Sequence, residues 1–217
     1  MKRFLVFCGV LFLTACSQAN AGLALTIDQT GRERKTELIA AAERVVTRRL
    51  ERLGQKMKGM SVTDTESGAL LRFSVADPAH RTALEQELVA PFFFRVMVEA
   101  APEQADTENG YSETGITEEH LAWAAASPSQ VEGRGNVLLL LNEEGQELLS
   151  GVIERNQGKK LGIFVRGVLV TYKTIAAQDE KASIPIDNIP SFALASVFAD
   201  DVNVSAHVTF SPSPVNP

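Results

Sequence analysis

Between Leu23 and Glu99 the apolar residues change period four times, and that order restricts the fold more than any single residue does. Leu23, Leu25 and Ile27 alternate, as in a half-buried strand. Arg32 to Leu53 carries Leu38, Ala41, Ala42, Val45, Val46, Leu50 and Leu53 at helical spacing, and Gly54 ends that helix. Met60 to Thr65 and Ala69 to Val75 read as two strands around the turn Glu66-Ser67-Gly68. Asp77-Pro78 opens a second helix, Asp as the cap and Pro at the first helical position, running to about Val89. Phe92 to Glu99 is a further strand. The order β-α-β-β-α-β predicts an α+β chain with a ferredoxin-like base over residues 23–99.

Residues 100–115, "AAPEQADTENGYSETG", are acidic and poor in large aliphatics, and read as a linker. Thr117, Glu118 and Glu119 then start a short helix through Ala126. Asn136 to Leu141 is a strand, and Asn142-Glu143-Glu144 caps a helix that buries Leu148, Leu149, Val152 and Ile153. Leu161–Val165 and Val168–Tyr172 form a hairpin through Arg166-Gly167, where Gly takes the positive φ. Ile184 to Ile186 is a strand, Pro190 to Ala199 a helix, and Val202 to Phe210 a last strand with alternating Val202, Val204, Ala206 and Val208. The tail 211–217, "SPSPVNP", cannot continue a sheet and frays.

The first residues carry a different signal. Met1-Lys2-Arg3 is basic, Phe4 to Leu13 is apolar, and Leu13-Thr14-Ala15-Cys16 puts small residues and a cysteine at its end. The apolar run is about ten residues where a spanning helix needs about 20. Residues 1–15 read as a lipoprotein signal peptide, Cys16 as the lipidated residue, and 16–22 as a tether; the bland alternative is an ordinary secretory signal whose cleavage site contains Cys. Ser17 at the next position favours the outer membrane where lipoproteins are sorted by that residue. The other cysteine, Cys8, leaves with the signal, so no disulfide framework or cysteine metal site is expected.

The chain carries a formal charge of −6, a poor footprint for nucleic acid. Its charge is uneven: nine basic residues, Arg48, Arg49 and Arg52 among them, stand against four acids between Arg32 and Lys58. A solvated helix face explains this; a basic face meeting anionic lipid or an acidic partner is the sharper reading. His80, His120 and His207 show no metal-ligand spacing. Glu143-Glu144 and Asp200-Asp201 are adjacent carboxylates better explained as caps and loop charge than as acid/base pairs. Phe92-Phe93-Phe94 reads as core or interdomain packing. No phosphate loop, dinucleotide fingerprint or nucleophile motif is present, so neither enzymatic activity, nor a cofactor, nor a small-molecule substrate is expected.

Several stretches, taken in order, resemble the SecD family of protein-export membrane proteins. "RVVTRRLERLG" resembles its Arg-rich helix end; "ALLRFSVADP" and "FFFRVMVE" resemble its hairpin, Asp-Pro helix start and following strand. "TGITEEHLAWA" and "GNVLLLLNEEGQELLSGVIERNQGKKLGIFVRGVLVTYKTI" resemble the segments leading into and forming its head subdomain. The family's Asp-Gly turn is Arg166-Gly167 here, its Leu-Pro-Gly segment is missing, and its Gly-rich approach to the last helix reads "SIPIDNIPSF". The resemblance implies the first periplasmic domain of SecD: a base (23–99), an inserted head (116–177) and a return to the base (178–210). It further implies a base and head that tilt while contacting exported polypeptide or Sec translocase subunits. The candidate contact residues, named from this sequence's own charge and hairpin and not carried over from the family, are Arg48, Arg49, Arg52, Arg166 and Gly167. The family's proton-relay residues have no counterpart in this sequence. The rival reading is an envelope lipoprotein that keeps the fold as an interaction module without a transport role.

Overall fold

The computed structural model describes residues 19–28, 32–55, 58–75, 77–100 and 110–213. The signal assigned to 1–15, Cys16 and residues 17–18 of the tether lie outside the described residues, as does 101–109 of the linker, while 19–22, expected to be tether, are already strand. Among the described residues eleven strands form three antiparallel sheets, with four α-helices packed on them.

The first sheet runs in the order β11-β1-β3-β2, from β1 (Ala19–Ile27), β2 (Lys58–Thr65), β3 (Gly68–Val75) and β11 (Val208–Ser213). Strand β3 buries Ala69, Leu71, Phe73 and Val75, every second residue, so one face is covered. Helix α1 (Arg32–Arg52) lays Leu38, Ala42, Val45, Val46 and Leu50 on this base, all inaccessible to solvent. Helix α2 (Pro78–Val89) adds Leu84 and Leu88. Its cap is as read from the sequence: the Asp77 carboxylate accepts the Ala79 N–H at 2.9 Å. Gly68 is required by close approach, since a Cβ there would stand 1.9 Å from the Leu25 carbonyl oxygen.

The strand expected to close the base goes elsewhere. β4 (Phe94–Glu99) sits in a second sheet, β5-β4-β8-β9, with β5 (Tyr111–Thr117), β8 (Lys160–Val165) and β9 (Val168–Thr174). The place beside β1 is taken by β11, paired from Ile27↔Val208 to Gly22↔Ser213. Residues 211–213, expected to fray, therefore continue the sheet: Pro212 is tolerated because β11 is an edge strand. Burial explains the exchange. Phe94, Val96, Met97 and Val98 need cover on both faces, which β4 finds in the head. Val208 and Phe210 alternate with exposed residues, which suits an edge with helices on one side.

The third sheet, β10-β7-β6, contains β6 (Leu121–Pro128), β7 (Gly135–Leu141) and β10 (Ser183–Ile189). Three expectations are corrected here and beyond it. Residues 121–126 are a strand, not a helix; pairing with β7 overrides the helix propensity of the alanines. Only a single 3-10 turn, Glu118–His120, precedes it. The linker ends at Tyr111, where β5 begins. The strand assigned to 202–210 is helical through His207, because α4 (Phe192–His207) does not stop at Ala199. Helix α3 (Glu143–Arg155) follows the sequence reading, with Asn142 accepting the Gly145 N–H at 2.9 Å and Leu149, Val152 and Ile153 buried.

Helix α4 joins the two cores. Ala195, Ala199 and Val202 belong to the core shared by the second and third sheets, whereas Val204 belongs to the base core. Two sets of polar contacts fix it. The Asn203 side chain, buried, receives the Ala124 N–H at 2.7 Å and donates to the Ala124 carbonyl at 2.8 Å, acting as an extra strand on the edge of β6. On the other side Asp200 takes Arg44 in a two-pronged pair at 2.6 and 2.8 Å, and Arg48 bridges Asp200 and Asp201 at 3.1 Å each.

Candidate groove at the junction of base and head

The turned-out stripe of α4 sets the site. Leu194, Val197, Phe198 and Asp201 recur at i, i+3, i+4 and i+7, so they share one helix face. Leu194 is 51% exposed, although its neighbour Ala195 is fully buried. This stripe floors a cavity of about 490 Å3 whose walls are Val170 and Thr171 of β9 and Ile186 to Ile189 of β10. Both strands are sheet edges, with a partner on one side only among the described residues.

The two edges differ. β10 is blunted by Pro185, by a register shift after Ile186, and by Asn188 at a φ of 60°. β9 exposes Val168, Leu169, Val170 and Tyr172, with Val168 66% and Tyr172 58% accessible. Its ladder with β8 skips Val170, since Ile163 faces Thr171 and Phe164 faces Leu169. Such a bulge twists the strand and re-aims a side chain. An apolar edge of this kind, beside an apolar cavity, is a surface that invites a partner.

Beyond Val197 and Phe198 the groove continues to a basic end. Arg48, Arg49, Glu51 and Arg52 of α1 line one side of it, and Phe92, Val165 and Arg166 the other, with Asp201 common to all parts. Arg52 pairs with Glu87 at 3.0 Å. Arg49 is buried, donates to the Glu87 carbonyl at 3.1 Å, and has its Nε 3.9 Å from the Glu87 carboxylate. Burial pulls the Arg49 guanidinium below its ordinary range, and Arg166 and Arg52 add like-charge repulsion against the pull of Asp201 and Glu87. The Asp200 hydrogen bonds hold Arg44 above its ordinary value.

The structure thus brings Arg48, Arg49, Arg52 and Arg166 together around one opening, although 114 or more positions separate Arg166 from the others. Arg48 and Arg49 are not a solvated face, since Asp200 and Asp201 hold the first and burial holds the second. Gly167 stands on the far side of the hairpin tip, in a shallow hollow with Phe93, Arg95 and Phe164. Arg166 and Gly167 both have positive φ, 51° and 75°, as the two-residue turn demands. Leu194, Val197 and Phe198 lie in the helix expected over 190–199, but nothing local says that this face is left uncovered; its signal was a helix with apolar residues on two faces, one more than a single core uses.

The histidines take structural places. His80 stands 3.1 Å from Asp77, His120 accepts the Thr117 N–H at 3.1 Å, and His207 stacks on Trp123 with ring centroids 6.4 Å apart. Burial pushes His207 below its ordinary value. Among the described residues no group of three His, Cys, Asp or Glu is placed to hold a metal ion. No helix among them is long and apolar enough to cross a membrane.

No protein-family profile matches the chain, and no curated protein is similar to it in sequence. Solved structures are similar in fold. SecDF in a super-membrane-facing form superposes with a TM-score of 0.51 at 17% identity, over 91% of this chain and 30% of that one. A structure of SecDF described as a membrane component that enhances protein export gives 0.48 at 18% identity, over 92% of this chain and 100% of that one. SecDF from Thermus thermophilus, a translocon-associated membrane protein, gives 0.46 at 15%, over 89% and 30%. The α+β fold of this chain therefore resembles a segment of SecDF that amounts to 30% of the protein. That agrees with the resemblance read from the sequence to a SecD periplasmic domain.

Proposed function

We propose that this chain is a SecD-like domain of the bacterial envelope that takes part in protein export by holding segments of unfolded polypeptide at the junction of base and head. It is tied to the membrane through a lipid on Cys16, faces the periplasm, and works by binding alone, without catalysis or a cofactor. The observation that supports this reading is the groove: an apolar floor on α4, a bulged and unpartnered apolar edge on β9, and a basic rim at one end. Unfolded chains offer apolar side chains and unpaired backbone together, and a groove with an open strand edge takes both. Docking on the Sec translocase is the other form of the same role, through the same rim.

In-cell photocrosslinking tests this, with a probe at Leu194 in the floor or Arg166 on the rim and a control at Glu132, exposed on the β6–β7 loop. Capture of many exported precursors, or of translocase subunits, at the first two positions and not at the control is the expected result. Capture of one abundant envelope protein instead moves the reading to an interaction lipoprotein without a transport role. No capture at either groove position refutes it.

A further inference from the structure

The two ends of the groove differ in chemistry, and the difference can be counted. The charged side chains that line the basic end are Arg48, Arg49, Arg52 and Arg166, against Glu51 and Asp201. Asp200 and Asp201 are taken up by Arg44 and Arg48, and Glu87 by Arg52 and Arg49. Glu51 is exposed on the α1 side. Arg48, Arg49 and Arg52 thus each have a carboxylate partner, and among the described residues the lining cation left without an ion pair is Arg166, at the tip of the β8–β9 hairpin. It lines the same recess as Arg49 and Arg52, near enough to Arg49 for their charges to repel. The Arg49 Nε has no hydrogen-bond acceptor of its own.

Resting on the polypeptide-binding reading, we propose that this recess is a carboxylate subsite. Arg166 and Arg52, backed by Arg49, receive one acidic side chain of a bound polypeptide whose apolar residues lie over Leu194, Val197 and Phe198. One uncompensated cation leaves room for one carboxylate, and a guanidinium meets a carboxylate through two parallel N–H bonds. The recess also has an apolar wall, Phe92, Val165 and Phe198, which lowers the local polarity and strengthens the pair. Spacing follows from the helix. Leu194 to Asp201 is a rise of about 10 Å at 1.5 Å per residue. An extended chain at about 3.3 Å per residue covers that in about three residues. The groove therefore selects an apolar residue with an acidic residue about three positions away.

The test uses the full chain and fluorescein-labelled peptides that carry one Leu cluster and a single Asp at one to six positions from it, each with an Asn counterpart, read by anisotropy. The expected result is about fivefold tighter binding of the Asp peptide over its Asn counterpart at a spacing of three, as one part-buried ion pair supplies. That preference disappears in Arg166→Gln and returns in part in Arg166→Lys. Arg52→Gln, whose side chain is 66% exposed, reduces it without unfolding the protein. Equal binding of Asp and Asn peptides overturns the subsite and leaves the groove reading standing. Binding of neither overturns that reading as well. Binding of phosphatidylglycerol vesicles that is lost in Arg166→Gln, with no Asp preference among peptides, overturns the subsite in favour of a lipid surface.

Discussion

Replacing Asn203 by Ala removes the side chain that hydrogen-bonds α4 to the backbone at the edge of β6. The magnitude follows from two bonds. The Ala124 N–H gives 2.7 Å to the Asn203 carbonyl oxygen, and the Ala124 carbonyl takes the Asn203 amide at 2.8 Å. Asn203 is 5% and Ala124 2% exposed, so water does not replace the lost partner without local opening. Each buried backbone group left unsatisfied costs about 1–3 kcal/mol, which puts Asn203→Ala at about 2–5 kcal/mol. That is a large share of the stability of a domain, about 5–15 kcal/mol. Urea unfolding followed by circular dichroism measures the loss, and hydrogen exchange at the Ala124 amide locates it. Asn203→Asp sharpens the case, because an ionised carboxylate accepts the Ala124 N–H but cannot donate to the carbonyl. At neutral pH it is at least as damaging as Ala. Burial raises that carboxyl in the folded protein, so protonation favours the fold and the Asp variant recovers stability as pH falls through the raised value. A loss under about 1 kcal/mol for Asn203→Ala, with Ala124 exchange unchanged, refutes the reasoning.

The groove floor is tested by Phe198→Asp, which puts a charge between its apolar and basic parts. Peptide binding falls by about tenfold or more, as loss of an aromatic anchor does. Because Phe198 also packs against the head core, the unfolding midpoint falls too, so binding is read where circular dichroism shows the variant folded. Leu194→Asp, at an exposed position, repeats the loss with little change in midpoint. Asp200→Asn leaves Arg44 and Arg48 without their shared partner, and costs about 1–3 kcal/mol in urea unfolding, since the two cations are partly exposed. Gly68→Ala forces β1 and β3 apart at the Leu25 carbonyl and lowers stability by about 3 kcal/mol or more, read from thermal unfolding. His207 is held below its unfolded value by burial, so the unfolded chain binds the proton more tightly. Its contribution is complete above about pH 6.5 and is lost as pH falls toward the depressed folded value. His207→Phe keeps the stack on Trp123 and flattens the stability profile in that window.

What could be read from the sequence was the local chemistry. The α1 stripe, the Asp77-Pro78 start, the Asn142 cap and the Arg166-Gly167 turn are each set by residues within one turn of the chain, and each is found as expected. The departures share a cause of another kind. Strand β4 left the base because its two buried faces needed a partner sheet, and nothing in "FFFRVMVE" says which sheet supplies it. The alanines of β6 became a strand because β7 and Asn203 offered their backbone partners. Val202, Val204 and Val208 alternate in sequence, yet Val202 and Val204 serve two different cores on one helix. The groove depended in part on that last point. Leu194, Val197 and Phe198 share a face of the helix expected over 190–199, Asp201 joins that face only because α4 is continuous, and Arg166 meets Arg49 and Arg52 only when β8 and β9 sit in the head beside α1.

The continuity of α4 also bears on any tilt of head against base. The helix runs from Phe192 to His207 with side chains in both cores, so it cannot bend at the junction without breaking its own hydrogen bonds. It must travel with one side and release the other. Its link to the head, Asn203 with Ala124, is buried and satisfies two backbone groups. Its link to the base, Arg44 and Arg48 with Asp200 and Asp201, has one Arg side chain 55% exposed and trades readily for water. The second link is the weaker, so a tilt carries α4 with the head and parts it from α1. Parting it frees Asp200 and Asp201 from Arg44 and Arg48, while Arg49 and Arg52 keep Glu87. Arg166 stays with the head while Arg49 and Arg52 stay with the base, so the same parting separates the three arginines that line the basic recess.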